Sequence, residues 1–167
     1  MISSKMNKAL NEQVTNELGA SHRYLDMAYS FDHMGLKIFS QRFIKQSDEE
    51  RMHAMKIAKY ICDVGGEVVI GKIASSDGKY SNAKAIVKAA LDSELTVTKQ
   101  INDLVAMSEK EKDYATNSFL KWFVDEQVEE VSSMTELLQL VTMAGEHNLF
   151  AVETRLATAK GEDGDDD

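Results

Sequence analysis

Glu50 and His53 form a Glu-x-x-His pair. On a helix, residues three apart project to the same side, so one carboxylate and one imidazole can meet a single ion. The pair alone is a weak signal, because this spacing arises often by chance. Its position strengthens it. The apolar stripe of the segment reads Phe43, Ser47, Glu50, Ala54, Ile57 and Ile61, so Glu50 stands where Leu or Ile would be expected. The same displacement recurs three times. Glu17 interrupts the stripe Leu10, Val14, Ser21, Tyr24, Ala28, Phe31. Glu94 interrupts Val87, Ala90, Val97, Ile101, Leu104. Glu130 follows Leu120, Phe123 and Gln127 and precedes Met134, Leu137 and Val141.

Taken singly, any of these glutamates is more simply read as part of a solvated helix face. Four at matching depths are not. An unpaired buried carboxylate costs several kcal/mol even after relaxation, and four converging in one core need something between them. The stripes place no lysine or arginine beside them, but they do place His53, Gln127 and Tyr24, residues able to bind a metal or to orient its ligands. Bound cations are the economical answer, and two divalent ions would balance four carboxylates. Carboxylates with one imidazole suit iron or manganese better than zinc, and redox chemistry favours iron. Glu49, Glu126 and Glu129 read individually as surface charges. Glu126 and Glu129 lie one turn apart, so with Glu49 they can form a third, wetter carboxylate site. The nine methionines and Trp122 are read as packing, with electron donation as the lesser reading for Trp122.

Helices must carry these residues. The period predicts a first helix over about 4–34, stopped by Gly35, and a second over about 38–64, stopped by Gly65-Gly66. The connection from Glu67 to Ser81 is too long for a tight turn and right for a crossover along a bundle. Val68, Val69 and Ile70 within it are expected to cling to the bundle or to another subunit. A third helix is predicted over about 82–107. Ser108-Glu109-Lys110-Glu111 fits a capping box that would start a fourth helix, running to about 144 before Gly145. A short fifth helix over about 148–159 shows Leu149, Val152 and Leu156 on one side. Each helix pair bears a glutamate on the stripe of its first helix and a Glu-Glu pair on its second, 33 to 36 residues later. Two such hairpins joined by one long crossover give an all-α, antiparallel four-helix bundle with parallel inner and outer pairs and a short fifth helix.

Composition agrees. The chain has 167 residues, 43% of them apolar and 28% charged, and no proline to interrupt long helices. It is expected to form one domain over 1–160, with a disordered acidic tail over 161–167. A net charge of −9 argues against nucleic acid and anionic membranes as partners and suits a handler of cations. A single cysteine, Cys62, an N-terminus without an apolar signal core and no membrane-length apolar run lead to the expectation of a soluble cytoplasmic protein.

Glu17, Glu50-x-x-His53, Glu94 and Glu126-Gln127-x-x-Glu130, with the lengths between them, resemble the ferritins, specifically the bacterial non-haem type, over nearly the whole chain. The resemblance implies one iron site from Glu17, Glu50 and His53, and a second from Glu94 and Glu130, with Glu50 bridging. Tyr24 and Gln127 would stand behind the ligands. Glu49, Glu126 and Glu129, with Glu130, match a third iron site. The implied activity is that of a ferroxidase, oxidising Fe²⁺ with O2 or H2O2 and storing it as a ferric mineral. The implied assembly is a hollow 24-mer, with a formal shell charge on the order of −200 and the fifth helix around its four-fold axes. The haem-binding relatives carry a histidine three residues after the Glu130 position and a methionine directly after the Glu50 position. Here those places hold Ser133 and Arg51, so no haem is expected. Passive metal buffering without redox turnover is the alternative, and a purely structural bundle a third reading.

Overall fold

The computed structural model describes residues 2–76 and 78–159. Five helices follow one another: α1 (Ser4–His33), α2 (Lys37–Asp63), α3 (Ala83–Glu111), α4 (Tyr114–Ala144) and α5 (Leu149–Ala159). No strand occurs among the described residues, and no helix is long and apolar enough to cross a membrane. The expected acidic tail lies outside the described residues.

The helix ends follow local chemistry. Ser3 caps α1 by accepting from the Met6 amide, and Asn82 caps α3 by accepting from that of Ala85. Between α1 and α2 the chain reverses through Gly35, whose φ of 80° suits a residue without Cβ, while the Leu36 amide closes back on the Phe31 carbonyl. The junction of α3 and α4 departs from expectation. The helix does not break at Ser108 but continues to Glu111 and ends on Lys112 in the left-handed region. Asp113 is the cap of α4, accepting from both the amide and the hydroxyl of Thr116. Ser108 is fully buried, donates to the Val105 carbonyl and accepts from Asn117 Nδ2. Both residues are good cap types, and burial of Ser108 between α3 and α4 decides which one acts.

The crossover is pinned along α1 by three polar side chains spaced one turn apart. Asn7 and Asn11 donate to the Glu67 carbonyl, Asn11 accepts from the Val69 amide, and Thr15 accepts from the Gly71 amide. Val68 packs on the bundle, whereas Val69 and Ile70 stand exposed on the single chain.

Neighbouring helices are antiparallel throughout, while the inner pair α2 and α3 and the outer pair α1 and α4 run parallel, as expected of two hairpins joined by one crossover. Along α1 and α3, Gln13 meets Gln100 while Arg23 meets Ser93. Across α2 and α4, Arg42 meets Ser133 while Tyr60 meets Thr116. Only diagonal helices run parallel. The stripe positions are buried in all four helices, apart from half-buried Ser21. The buried apolar side chains form two separate clusters. One gathers Phe31, Phe39, Phe43, Ile86, Met134 and Leu137 with Leu149 and Val152 of α5. The other gathers Leu10, Ile57, Val97, Ile101, Leu120 and Phe123. The layer between them is polar.

One end of α2 is completed from far away in sequence. Leu36 offers no side-chain cap, and buried Glu153 of α5 instead accepts from the amides of Ile38 and Phe39 at 2.7 and 3.2 Å. A carboxylate there also suits the positive end of the helix dipole.

Candidate metal centre

The polar layer contains Glu17 on α1, Glu50 and His53 on α2, Glu94 on α3, and Gln127 and Glu130 on α4, all buried. The structure thus places every residue expected at the two inner positions in one buried layer. Their placement follows from the stripe, since each helix turns its apolar side inward and takes the glutamate with it. The register of α1 against α2 is set beside the layer, where Ser21 donates to the Ser47 carbonyl and Ser47 donates to that of Ser21.

Glu17, Glu50 and His53 can each present one donor atom within 4.8 Å of the others, and no other trio of acidic, histidine or cysteine residues among those described does so. His53 Nδ1 lies 3.5 Å from Glu50 Oε2. Glu94 and Glu130 are held differently. Tyr24 donates to Glu94 Oε1, and Gln46 donates to Glu130 Oε2 at 2.8 Å. Gln127 Oε1 accepts from Thr98, whose hydroxyl also approaches the Glu94 carbonyl.

The layer is far from electrostatically comfortable. Glu17 Oε2, Glu50 Oε2, Glu94 Oε2 and His53 Nε2 are all buried without a hydrogen-bond partner. Leaving such groups unsatisfied is costly, so buried polar atoms without partners call for an explanation. Burial and the neighbouring Glu50 carboxylate push the Glu17 carboxyl well above the usual carboxylate range. Burial, with Glu50 next, raises Glu94 to about 8, the hydrogen bond from Tyr24 opposing. Burial raises Glu130 to about 7 against the hydrogen bond from Gln46. Burial pulls the His53 imidazole down, but the adjacent Glu50, with Glu130 and Glu126, outweighs it and the net shift is upward. A carboxylate-rich, one-imidazole donor set with unpaired atoms aimed inward fits hard or borderline cations of the iron and manganese type.

The outer carboxylates share one cavity. Glu49, Glu126, Glu129 and Glu130 line a cavity of about 340 Å³ together with Arg42, Lys45, Gln46 and Ser133. It opens between α2 and α4, whose Cα atoms nowhere come within 8 Å of each other. Glu49 and Glu126 are half-buried and Glu129 exposed, so this is the wetter environment expected of it. It is less purely acidic than the sequence suggested. Lys45 Nζ is 3.3 Å from Glu49, and Arg42 donates to Ser133 Oγ at 2.7 Å. Trp122 meets His53 edge-on with centroids 5.4 Å apart, and Lys56 Nζ sits 3.1 Å above the Trp122 ring.

Sequence reasoning missed the glutamines that orient the acids. Gln13 donates to Glu17 Oε1 at 2.8 Å, and Gln46 donates to Glu50 Oε1 at 3.2 Å. Each stands four residues before a stripe glutamate, one turn earlier on the same helix. That repeated Gln-x-x-x-Glu spacing was the available signal.

Comparison with known proteins agrees with this architecture. The ferritin-like domain family matches residues 7–144. A bacterial non-heme ferritin of Staphylococcus epidermidis is 36% identical over 159 residues, covering 94% of this chain and 96% of its own. Ferritin BfrB of Mycolicibacterium smegmatis is 35% identical, covering 93% of this chain and 86% of its own. The solved open pore ferritin of Archaeoglobus fulgidus superposes with a TM-score of 0.91 at 37% identity, over 93% of this chain and 98% of that one. An all-α bundle with a short fifth helix and a buried carboxylate layer defines the class, and the chain belongs to the ferritin-like domain family. Within it the resemblance is to the bacterial non-heme ferritins. That membership supports a role in iron storage.

Proposed function

We propose that the protein is a ferroxidase coupled to iron storage. Glu17, Glu50 and His53 hold one Fe²⁺, Glu94 and Glu130 hold a second, and Glu50 bridges them. The observation that carries this reading is the set of four buried, partnerless donor atoms on Glu17, Glu50, His53 and Glu94. Two divalent ions satisfy those atoms and offset the burial and mutual repulsion that raise the neighbouring acids.

Two ions on one bridging carboxylate supply two electrons together. Two Fe²⁺, one O2 and two protons give two Fe³⁺ and one H2O2. With peroxide as oxidant, two Fe²⁺, one H2O2 and two protons give two Fe³⁺ and two waters. The carboxylate-rich surroundings favour the higher charge of the ferric product. Tyr24 and Gln127 orient the Glu94 side of the centre. Glu49, Glu126 and Glu129, beside Glu130 in the α2–α4 cavity, form a third iron position through which ions pass or wait. The ferric product then mineralises within a cytoplasmic homo-oligomeric shell of the ferritin kind. Haem has no place in this reading, since Ser133 binds Arg42 and Arg51 follows Glu50.

The test is anaerobic Fe²⁺ titration of the metal-free protein, followed by mixing with air-saturated buffer in a stopped-flow spectrometer. Saturation at two or three Fe²⁺ per chain and a rapid ferric signal are expected. Stoichiometric binding with negligible oxygen consumption would indicate passive buffering instead. Absence of tight binding would remove the metal centre altogether.

A further inference from the structure

The amide of Gln46 occupies an unusual position. Gln46 lies one turn before Glu50 on α2, is 7% exposed, and spans the wide seam toward α4. Its Nε2 is 3.2 Å from Glu50 Oε1 and 2.8 Å from Glu130 Oε2. An amide nitrogen carries two hydrogens and so can serve two acceptors at once. One neutral group therefore ties together two carboxylates that would otherwise repel each other.

The two oxygens of Glu50 face different company. Oε2 lies toward His53 Nδ1 and lacks a hydrogen bond, whereas Oε1 is held by Gln46. The position bounded by Glu17, Glu50 and His53 is thus open to an ion. The gap between Glu50 and Glu130 is already bridged by a donor. We propose that in metal-free protein the Gln46 amide stands in for the second metal ion, and that its displacement makes loading sequential, first at Glu17–Glu50–His53 and then at Glu94–Glu130. This rests on the two-ion reading given above. Gln46 has somewhere to go, since it also lines the cavity of about 340 Å³ between α2 and α4.

The energetic consequence has a definite sign. A contact present only in metal-free protein must be broken when the ion arrives, so it weakens binding of that ion. Removing the contact tightens the second step and leaves the first nearly unchanged. Hydrogen bonds to charged groups are stronger than neutral ones, but water replaces part of what is lost, so a change of about 10-fold in the second affinity is expected. Gln46 is in this sense a positioning residue that sets the order of loading.

Calorimetric titration with Co²⁺ alone, on metal-free protein, reads the two steps without oxidation chemistry. Gln46→Met keeps much of the side-chain volume but has no donor, and Gln46→Ala removes the side chain. The native protein is expected to show two steps, the second weaker. In either variant that folds and assembles normally, the second step should tighten by about 10-fold while the first stays in place. A second step that is unchanged or weaker, or two steps that move together, would reduce Gln46 to a structural residue and overturn the inference. Failure of the native protein to bind two Co²⁺ per chain is a different result, and would remove the two-ion centre on which the inference stands.

Discussion

Glu17 and Glu94 hold corresponding places on the first helices of the two hairpins, yet their surroundings differ. Glu17 receives its hydrogen bond from Gln13 on its own helix, and Glu50 receives one from Gln46 on its own helix. Glu94 has no such neighbour on α3, where Ala90 stands one turn earlier, and depends on Tyr24 of α1. Glu130 depends on Gln46 of α2. The two hairpins contribute acids evenly, but Gln13, Tyr24 and Gln46 all stand on the first, and the second adds only Gln127 beside Glu94. Half of the centre is therefore assembled within α1 and α2, and the other half is assembled only when the hairpins dock. The trio whose donor atoms converge, Glu17, Glu50 and His53, lies entirely within that first hairpin.

Single substitutions should break the two halves unequally. Glu50→Ala removes the shared carboxylate and should lower the initial ferroxidase rate by about 100-fold or more, a loss of at least about 2.7 kcal/mol of transition-state stabilisation. Assembly should persist, as read by size-exclusion chromatography beside stopped-flow oxidation. Glu94→Ala should keep one tight Co²⁺ per chain and lose the second. If Glu94→Ala instead abolished both binding steps, the halves would not be separable.

Acidity should expose the same layer in the metal-free protein. Glu94 at about 8, Glu130 at about 7, and Glu17 and His53 shifted upward all bind protons more tightly folded than unfolded. With folded values raised, their contribution is fully present below the unfolded carboxylate value of about 4.3 and falls as pH rises toward 8. Thermal unfolding in the presence of chelator should therefore show Tm falling by several degrees between about pH 5 and pH 8. Glu94→Gln should flatten that slope, because the amide does not titrate. Saturating Co²⁺ should flatten it too, by replacing protons with metal. An unchanged slope in Glu94→Gln would show that this carboxyl is not the one responsible.

The smallest effects should come from the donors. Gln13→Ala and Tyr24→Phe each remove one hydrogen bond to a carboxyl and should alter metal-free stability by about 1 kcal/mol in denaturant titrations. The halves can then be told apart by Co²⁺, since Gln13→Ala should perturb the first binding step and Tyr24→Phe the second.

Much of the architecture was legible from one dimension, for identifiable reasons. The apolar period of 3.6 residues is imposed by helix geometry, so four stripes and the glutamates interrupting them can be counted without a structure. Gly35, Gly65 and Gly145 end helices because their backbone conformations exclude most side chains. Local chemistry was insufficient where two good caps competed. Ser108 and Asp113 both suit a helix start, and only the packing of α3 against α4 buries the first and leaves the second to act.

The residue types, spacing and net charge alone determined that this chain forms long helices with four acids and a histidine on their inward faces. Those properties are local, carried by helix periodicity and by the cost of burying charge. Tertiary structure decided the wide α2–α4 seam and the cavity within it. It also decided the cap that Glu153 lends to α2 across more than a hundred residues, and the bridge that Gln46 makes to Glu130. Such contacts join groups far apart in sequence, and no periodicity encodes the distance between two helices that meet only after folding.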